Sequence, residues 1–273
     1  MKKILLTVLL STALLAGVFA NAAAESAPAA SINTLADLNG KVIGMANAPM
    51  TPEEAIGYFT KILGVTFGKV EMFPSINEAL AALKAGRVDG VGTTMAYAKF
   101  LSQSDNTVKP IEAPLLVGGA VGKVSMVMLE SNAALLGQIN NALSAITSDG
   151  TLASLNSQYI DGSQTGNPAP VSIPVTAGEQ TVKVGISGDY PPFDYIQADG
   201  KPAGYNTALM AEIAKREGFN VEFITVPFDA KFSALNSGRI DVFFFHAGVL
   251  ASPGIVTTDV YYNNLQAAIL VKK

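Results

Sequence analysis

Few residues in this chain can carry acid–base or nucleophilic chemistry. The sequence has no cysteine and a single histidine, His246. This excludes disulfides, thiolate catalysis and any metal site built from thiolates or several histidines. A Ser-His-Asp triad would have only His246 as its base. Asp189 and His246 are the two candidates for a positioned acid or base. We therefore assign no catalytic residue, and we expect no metal and no cofactor.

Each of these candidates also has a plain structural interpretation. His246 follows the phenylalanines at 243–245, a run typical of a buried strand, and it could be a hydrogen-bonded wall residue. Asp189 could be a turn or N-cap carboxylate, and Thr93 with Thr94 could cap a helix.

Composition narrows the class of protein. The net charge is −4, no basic block occurs, and 49% of the residues are hydrophobic. The charge argues against a nucleic-acid partner, and the hydrophobic content is enough for a packed core.

The first residues indicate export. Lys2 and Lys3 precede an apolar stretch at 4–19, and Ala20-Asn21-Ala22 follows with the small-x-small pattern of a cleavage site. We expect a signal peptide at 1–24, a leader at 25–30 and a periplasmic location. An uncleaved anchor is the alternative, although the apolar stretch is short for a span.

One sequence pattern occurs twice. Residues 82–89 read ALKAGRVD, and residues 234–241 read ALNSGRID. Each copy ends an amphipathic helical run with a glycine and then opens an apolar strand. We expect two α/β lobes built on one plan, with a ligand cleft between them. The arginines of the repeat, Arg87 and Arg239, are expected to cover helix ends.

Strand and helix patterns alternate through most of the chain. Helices are expected at 51–63, 75–85, 97–101, 132–147, 151–159, 207–217 and 231–237, with strands between them and a last strand at 265–271. The alternation predicts an α/β fold with mixed, mostly parallel sheets flanked by helices. Residues 161–180 lack periodicity and hold three prolines and three glycines, as a linker does.

The segment from 181 to 241 resembles the opening of the bacterial extracellular solute-binding proteins of family 3. It carries YPPF at 190–193, AGYN at 203–206 and a helix ending AKREGF, in that family's order. The resemblance implies a two-lobed periplasmic-binding fold that captures a small polar solute, amino-acid-like or amino-acid-derived. It also implies an ABC transporter permease as partner.

The order of the two halves is rotated relative to that family. Residues 31–159 resemble the later portion, with SINEALAALKAGRVDGV at 75–91 in place of the second lobe's helix and strand. We interpret this as a circular permutation in which 161–180 joins the original termini. Lobe 2 is predicted at 31–116, and lobe 1 at 117–160 plus 181–273. A monomer is expected, and a lobe-swapped dimer stays open.

The resemblance also implies a set of ligand-binding residues. Each follows a strand, where open α/β sheets bind ligands. The set comprises Asp189, Tyr190, Phe193, Phe228, His246, Ala247 and Gly248 in lobe 1, and Ala48, Thr51, Thr93 and Thr94 in lobe 2.

Two charged residues of the family are missing. The stretch at 247–259, where amino-acid binders carry a carboxylate-gripping arginine, has no Arg or Lys, and Thr94 stands where an aspartate receives the ammonium. A standard α-amino acid is therefore not expected to bind in the family's usual way, since unpaired buried charges are costly. Two other functions stay open: a dehydratase-like enzyme on this fold, and a ligand sensor for a separate signalling partner.

Overall fold

The computed structural model describes residues 31–46, 51–113, 122–161, 171–173, 175–246 and 253–273, with the backbone alone for Phe245 and His246. The predicted signal peptide, the leader and the predicted site residues Ala48, Ala247 and Gly248 lie outside these ranges. Within them, no helix combines the length and the apolar content needed to cross a bilayer.

The first sheet has five strands in the order β2-β1-β3-β13-β4. β1 runs parallel to β2 and β3, whereas β13 lies antiparallel between β3 and β4. The strands are β1 (Val42–Ala46), β2 (Lys69–Phe73), β3 (Gly90–Thr94), β4 (Val108–Glu112) and β13 (Ala267–Lys272). Its helices are α1 (Pro52–Leu63), α2 (Ile76–Ala85) and α3 (Met95–Ser104).

The second sheet has five strands in the order β10-β6-β11-β5-β12. β6 runs parallel to β10 and β11, and β5 is antiparallel to β11 and β12. The strands are β5 (Val124–Leu129), β6 (Thr181–Ile186), β10 (Asn220–Thr225), β11 (Val242–His246) and β12 (Ile255–Thr257). Its helices are α4 (Ala133–Ser148), α5 (Thr151–Tyr159), α6 (Tyr205–Glu217) and α7 (Lys231–Asn236).

A small antiparallel sheet follows β6. It consists of β7 (Asp189–Tyr190), β8 (Asp194–Ile196) and β9 (Pro202–Ala203). It carries the YPPF motif, so this motif sits directly beyond the carboxyl end of a parallel strand. The α/β class and the mixed sheets are as predicted.

The repeated pattern has the same local structure in both sheets. Gly86 and Gly238 both have a left-handed φ, 77° and 70°. The aspartate that ends each copy then bonds the neighbouring parallel strand: Asp89 Oδ2 accepts from the Val42 amide of β1 and Asp241 Oδ2 from the Lys183 amide of β6, each at 2.8 Å. The repeat thus fixes how each helix returns to its sheet.

The two arginines of the repeat have different partners. Arg87 pairs with Glu71 at 3.1 Å and lies over the Phe73 ring, and Arg239 donates to the Thr225 carbonyl at 3.5 Å.

The last strand corrects the predicted boundary of lobe 1. That lobe was expected to include all of 181–273, but β13 completes the first sheet, not the second. The physical reason is its apolar alternation: Ile269 and Val271 join one buried cluster of the first sheet, and Ala268 and Leu270 join another. A strand buried on both faces needs partners on both edges, which β3 and β4 supply.

Candidate functional site

Tyr190 joins the two sheets. Its hydroxyl donates to Thr94 Oγ1 at 2.9 Å. Its ring stacks on the ring of Tyr97 in α3, with the centroids 5.3 Å apart. It also stacks on the ring of Phe193, with the centroids 5.6 Å apart. The ring also packs against core clusters of both sheets. The predicted site residues Tyr190 and Thr94 are therefore brought together across the junction.

Burial governs the ionisation of this tyrosine. It raises the pKa of Tyr190, and the hydrogen bond with Thr94 acts in the opposite direction. The pKa of the neighbouring Tyr97 is likewise raised, chiefly by burial. Both phenols are thus neutral donors or acceptors at physiological pH.

The threonine pair ends β3 and begins α3. Thr94 is the N-cap of α3, because its Oγ1 accepts from the Tyr97 amide at 3.4 Å. The N-cap role considered from the sequence is present together with the contact to Tyr190. The Thr93 hydroxyl is buried beside Thr94 and, like the Thr94 hydroxyl, acts to lower the pKa of Tyr190 through hydrogen bonding.

Asp189 lies at the start of β7, next to Tyr190, and is half-buried. Burial, followed by the charge of Asp194, raises the pKa of Asp189, while Lys231 lowers it. Asp194 is the structural carboxylate of the pair. Its oxygens accept from the Ser187 amide at 2.6 Å and from Asn206 Nδ2 at 2.7 Å, so it pins the turn after β6 to α6.

Lys231 is a buried cation that the sequence reasoning missed. Lys231 is only 2% exposed. Its Nζ donates to Ser187 Oγ at 2.9 Å and to the Phe244 carbonyl at 3.5 Å. Burial lowers the pKa of Lys231, and the charges of Asp194 and Asp189 act in the opposite direction. The signal was present: Lys231, Ala234 and Leu235 share the i, i+3, i+4 spacing of a buried helix face.

The predicted aromatic Phe228 lies beside this lysine. It begins a short 3-10 helix before α7, and the Lys231 ammonium is 5.5 Å from its ring centroid. Such a distance is within the range of cation–π attraction. Phe228 and Ser187 therefore both lie beside the ammonium of Lys231.

Phe193 is a correction to the predicted set. It is 0% exposed and packs edge-on against Tyr205 and Tyr262 in the core of the second sheet. It supports Tyr190 from behind and has no surface for a ligand in this conformation. The reason is the turn at Pro191-Pro192, which directs the ring inward instead of along the junction.

Thr51 caps α1 through a capping box with Glu54, as predicted, and is exposed. The structure does not bring it into contact with Tyr190, Thr94 or Lys231. His246 ends β11, with its backbone opposite Val124, and its side chain lies outside the described atoms.

The fold thus has two mixed α/β sheets that meet through the stacked Tyr190, with polar groups gathered at the ends of parallel strands. Residues 182–251 match the sequence model of the bacterial extracellular solute-binding proteins, family 3. The match covers the YPPF and AGYN motifs, and the resemblance to this family is confirmed.

Curated relatives carry names that agree with this family. The chain is 42% identical over 62 residues to the "probable histidine-binding protein" of Campylobacter jejuni, covering 23% of this chain and 24% of that protein. It is 30% identical over 145 residues to the "ABC transporter arginine-binding protein 1" of Escherichia coli, covering 52% of this chain and 56% of that protein. The chain thus spans about a quarter to just over half the length of these relatives, which are named as binding proteins.

A solved structure is similar over most of the chain at low identity. The zinc-bound ligand-binding component of an ABC-type import system from Staphylococcus aureus matches with a TM-score of 0.47 and 12% identity. The match covers 86% of this chain and 66% of that one. A likeness of this size carries no argument about ligand or assembly.

Proposed function

We propose that this protein is an exported receptor that captures a small polar solute between its two sheets and delivers it to an ABC importer. The solute is amino-acid-like or amino-acid-derived. The single observation that supports the proposal is the contact made by Tyr190. Its side chain donates a hydrogen bond to Thr94 of the first sheet, whereas its backbone lies in β7, which follows β6 of the second sheet. A residue in this position senses whether the two halves are apart or together.

The groups around the junction are of the kind that orient a polar ligand. Thr93 offers a buried hydroxyl, Asp189 a half-buried carboxylate and Phe228 an aromatic face. Few convergent polar groups and an aromatic wall are typical of small-molecule sites. The names of the relatives support the solute class, since they refer to amino acids.

The rotated order of the halves is part of the proposal. Ile32 lies in the same buried cluster as Ile269 and Val271, and Lys109, which pairs with Val271, donates through its Nζ to the Asn33 side chain. The segment at 31–33 thus packs beside β13. This closeness supports a lobe 2 made of 31–113 and β13, and a lobe 1 made of 122–161 and 181–262.

A thermal-shift screen tests the binding function. The probes are the amino acids, their decarboxylated amines and their deaminated acids. A solute at 100 times its dissociation constant stabilises the folded state by about 2.7 kcal/mol. We expect a saturable rise in melting temperature with a small subset of these probes.

Variants tie the response to the junction. Thr94→Val removes the hydroxyl that meets Tyr190 and caps α3, and Thr66→Val is the control because Thr66 is exposed and precedes β2. The account expects a weaker shift in the first variant only. No shift with any probe, or equal shifts in both variants, would contradict it.

A further inference from the structure

We propose that Lys231 receives the carboxylate of the solute, so that the ligand is a small organic anion held by α7 and not by the stretch after β11. The inference rests on the proposed function and names the ligand chemistry of the same site. In this proposal Lys231 supplies the positive charge for the ligand carboxylate. In the family that the chain resembles, an arginine in the stretch corresponding to 247–259 supplies it.

The first support is the place of the ammonium in the fold. Ser187, its near acceptor, is the first residue after β6, and Phe244, its distant acceptor, lies in β11. β6 and β11 are adjacent parallel strands. The ammonium therefore sits near the carboxyl ends of two parallel strands, where open α/β sheets bind ligands.

The second support is the count of hydrogen-bond partners. A lysine ammonium has three donors. Among the described residues it has one acceptor at 2.9 Å and one at 3.5 Å, and the second is at the edge of bonding distance. Of its three protons, one thus makes a good hydrogen bond and one makes a weak hydrogen bond. The third has no acceptor among the described residues.

The third support is the charge balance. No described carboxylate forms an ion pair with Lys231 within the part of the chain that the structure covers. The charges of Asp194 and Asp189 act on Lys231 without direct contact, and Asp194 is already bonded to the Ser187 amide and Asn206. A buried cation without a paired anion is costly, and an anionic ligand removes that cost when it binds.

The fourth support is the wall around the charge. The rings of Phe228 and Phe243 lie 5.5 and 5.9 Å from the ammonium. They lower the local polarity, and an ionic hydrogen bond is stronger in such surroundings. These surroundings favour a singly charged anion as the partner of the ammonium.

A purely structural lysine is the competing explanation. It would bond Ser187 and the Phe244 carbonyl to hold α7 on the sheet, and its removal would change stability without changing which solutes bind. The two explanations differ in ligand selectivity.

The experiment measures dissociation constants by calorimetry on the full chain. The probes are small carboxylates, namely amino acids and their deaminated acids, and the matching primary amides. Wild type is expected to bind at least one carboxylate and to bind its amide about 100-fold more weakly, since a charged hydrogen bond is lost.

Variants complete the test. Lys231→Met is expected to lose the preference for the carboxylate over the amide, and Lys231→Arg to keep part of it. Lys215→Met, at an exposed position of α6, is the control and should match wild type. Circular dichroism confirms that each variant is folded.

The outcomes separate the two proposals. Carboxylate binding that persists with the same selectivity in Lys231→Met, or a wild type that prefers amides or amines, overturns the role of Lys231 while the receptor function stands. If wild type binds none of the probes, the proposed function fails and this inference fails with it.

Discussion

Tyr190 and Lys231 show at the residue scale how one side chain can serve both packing and recognition. Tyr190 uses its ring for two cores and its hydroxyl for Thr94. Lys231 is packed like a core residue but carries a charge. Lys231 holds its charge at a position where an apolar side chain would be more stable, which is a frequent property of binding sites.

Replacing Lys231 should stabilise the protein. Lys231→Met removes a desolvated charge, and the free energy of unfolding at neutral pH is expected to rise by about 1–3 kcal/mol. Urea unfolding measures it, with Lys215→Met as the control. A loss of stability in Lys231→Met alone would show that the bonds to Ser187 and Phe244 outweigh the desolvation cost.

The same lysine sets a pH dependence. Burial lowers the pKa of Lys231 from its ordinary 10.5, so between the lowered value and 10.5 the unfolded chain binds more protons than the folded one. Stability contributed by this group therefore rises with pH across that window. Unfolding curves at several alkaline pH values should show a rise in wild type that is absent from Lys231→Met. Identical pH profiles would contradict the lowered pKa.

Tyr190→Phe should weaken the contact between the sheets. It removes the 2.9 Å bond to Thr94 and leaves the ring stacks with Tyr97 and Phe193 in place. A loss of about 1 kcal/mol in the free energy of unfolding is expected. Tyr58→Phe is the matched control, since Tyr58 is 36% exposed. Equal effects of the two changes would show that the hydroxyl contributes nothing to the junction.

At the scale of elements, the sequence was informative wherever local chemistry decides the structure. The capping boxes, the glycine stops and the alternation of strands and helices predicted seven helices, six of them within two residues of their observed bounds. The other, α3, was predicted at 97–101 and runs from Met95 to Ser104. The helix end and the left-handed glycine predicted for the repeat at 82–89 and 234–241 are confirmed in both copies. The bonds of its aspartates were not predicted.

The elements that the sequence did not reveal depend on distant partners. β4 was missed because Pro110 interrupts it, and the proline is tolerated since β4 is the edge strand beyond β13. The membership of β13 in the first sheet could not be read from its own residues. Lys231 was missed because its cationic role was sought only in the stretch that follows β11, where the family carries its arginine.

Gly204 fixes the approach of α6 to the YPPF turn. Its φ is +106°, and an added Cβ would lie 2.7 Å from the Pro192 carbonyl and closer still to that of Phe193. Both carbonyl oxygens accept hydrogen bonds from backbone amides in the first turn of α6, each with an N···O distance of 2.8 Å. Gly204→Ala is expected to destabilise the fold by about 3 kcal/mol or more.

Gly200→Ala is the control for this substitution. Its φ is +81° but nothing lies within 4 Å of the added Cβ, so only the backbone cost of about 1–2 kcal/mol is expected. Thermal unfolding compares the two. A Gly204→Ala protein as stable as Gly200→Ala would mean that the turn can move away from α6.

At the scale of the whole molecule, the order of segments is the distinctive property. β13 comes from the end of the described chain and lies between β3 and β4, inside a sheet whose other strands come from 42–112. The first sheet is thus completed only after the second has been synthesised. Its assembly is non-local, which is expected to slow folding.

A reordered chain tests the proposed permutation. In it, residues 181–273 are followed by a short glycine-serine linker and then by 31–160. Because 31–33 already packs beside β13, this chain is expected to fold with the circular dichroism and the solute response of the original. A second reordered chain opened inside β6, after Val184, is the control and should not fold. Failure of the first chain with the same linker lengthened would contradict the permutation.

The most direct measurement of the central claim is a solute titration followed by tyrosine circular dichroism in the near ultraviolet. The chain has eight tyrosines and no tryptophan, so the stacked Tyr190 contributes visibly to this signal. The account predicts a saturable change in wild type with a small carboxylate, and a reduced change at equal saturation in Tyr190→Phe. A solute that binds by calorimetry yet leaves the tyrosine signal unchanged would place the site elsewhere and contradict the account.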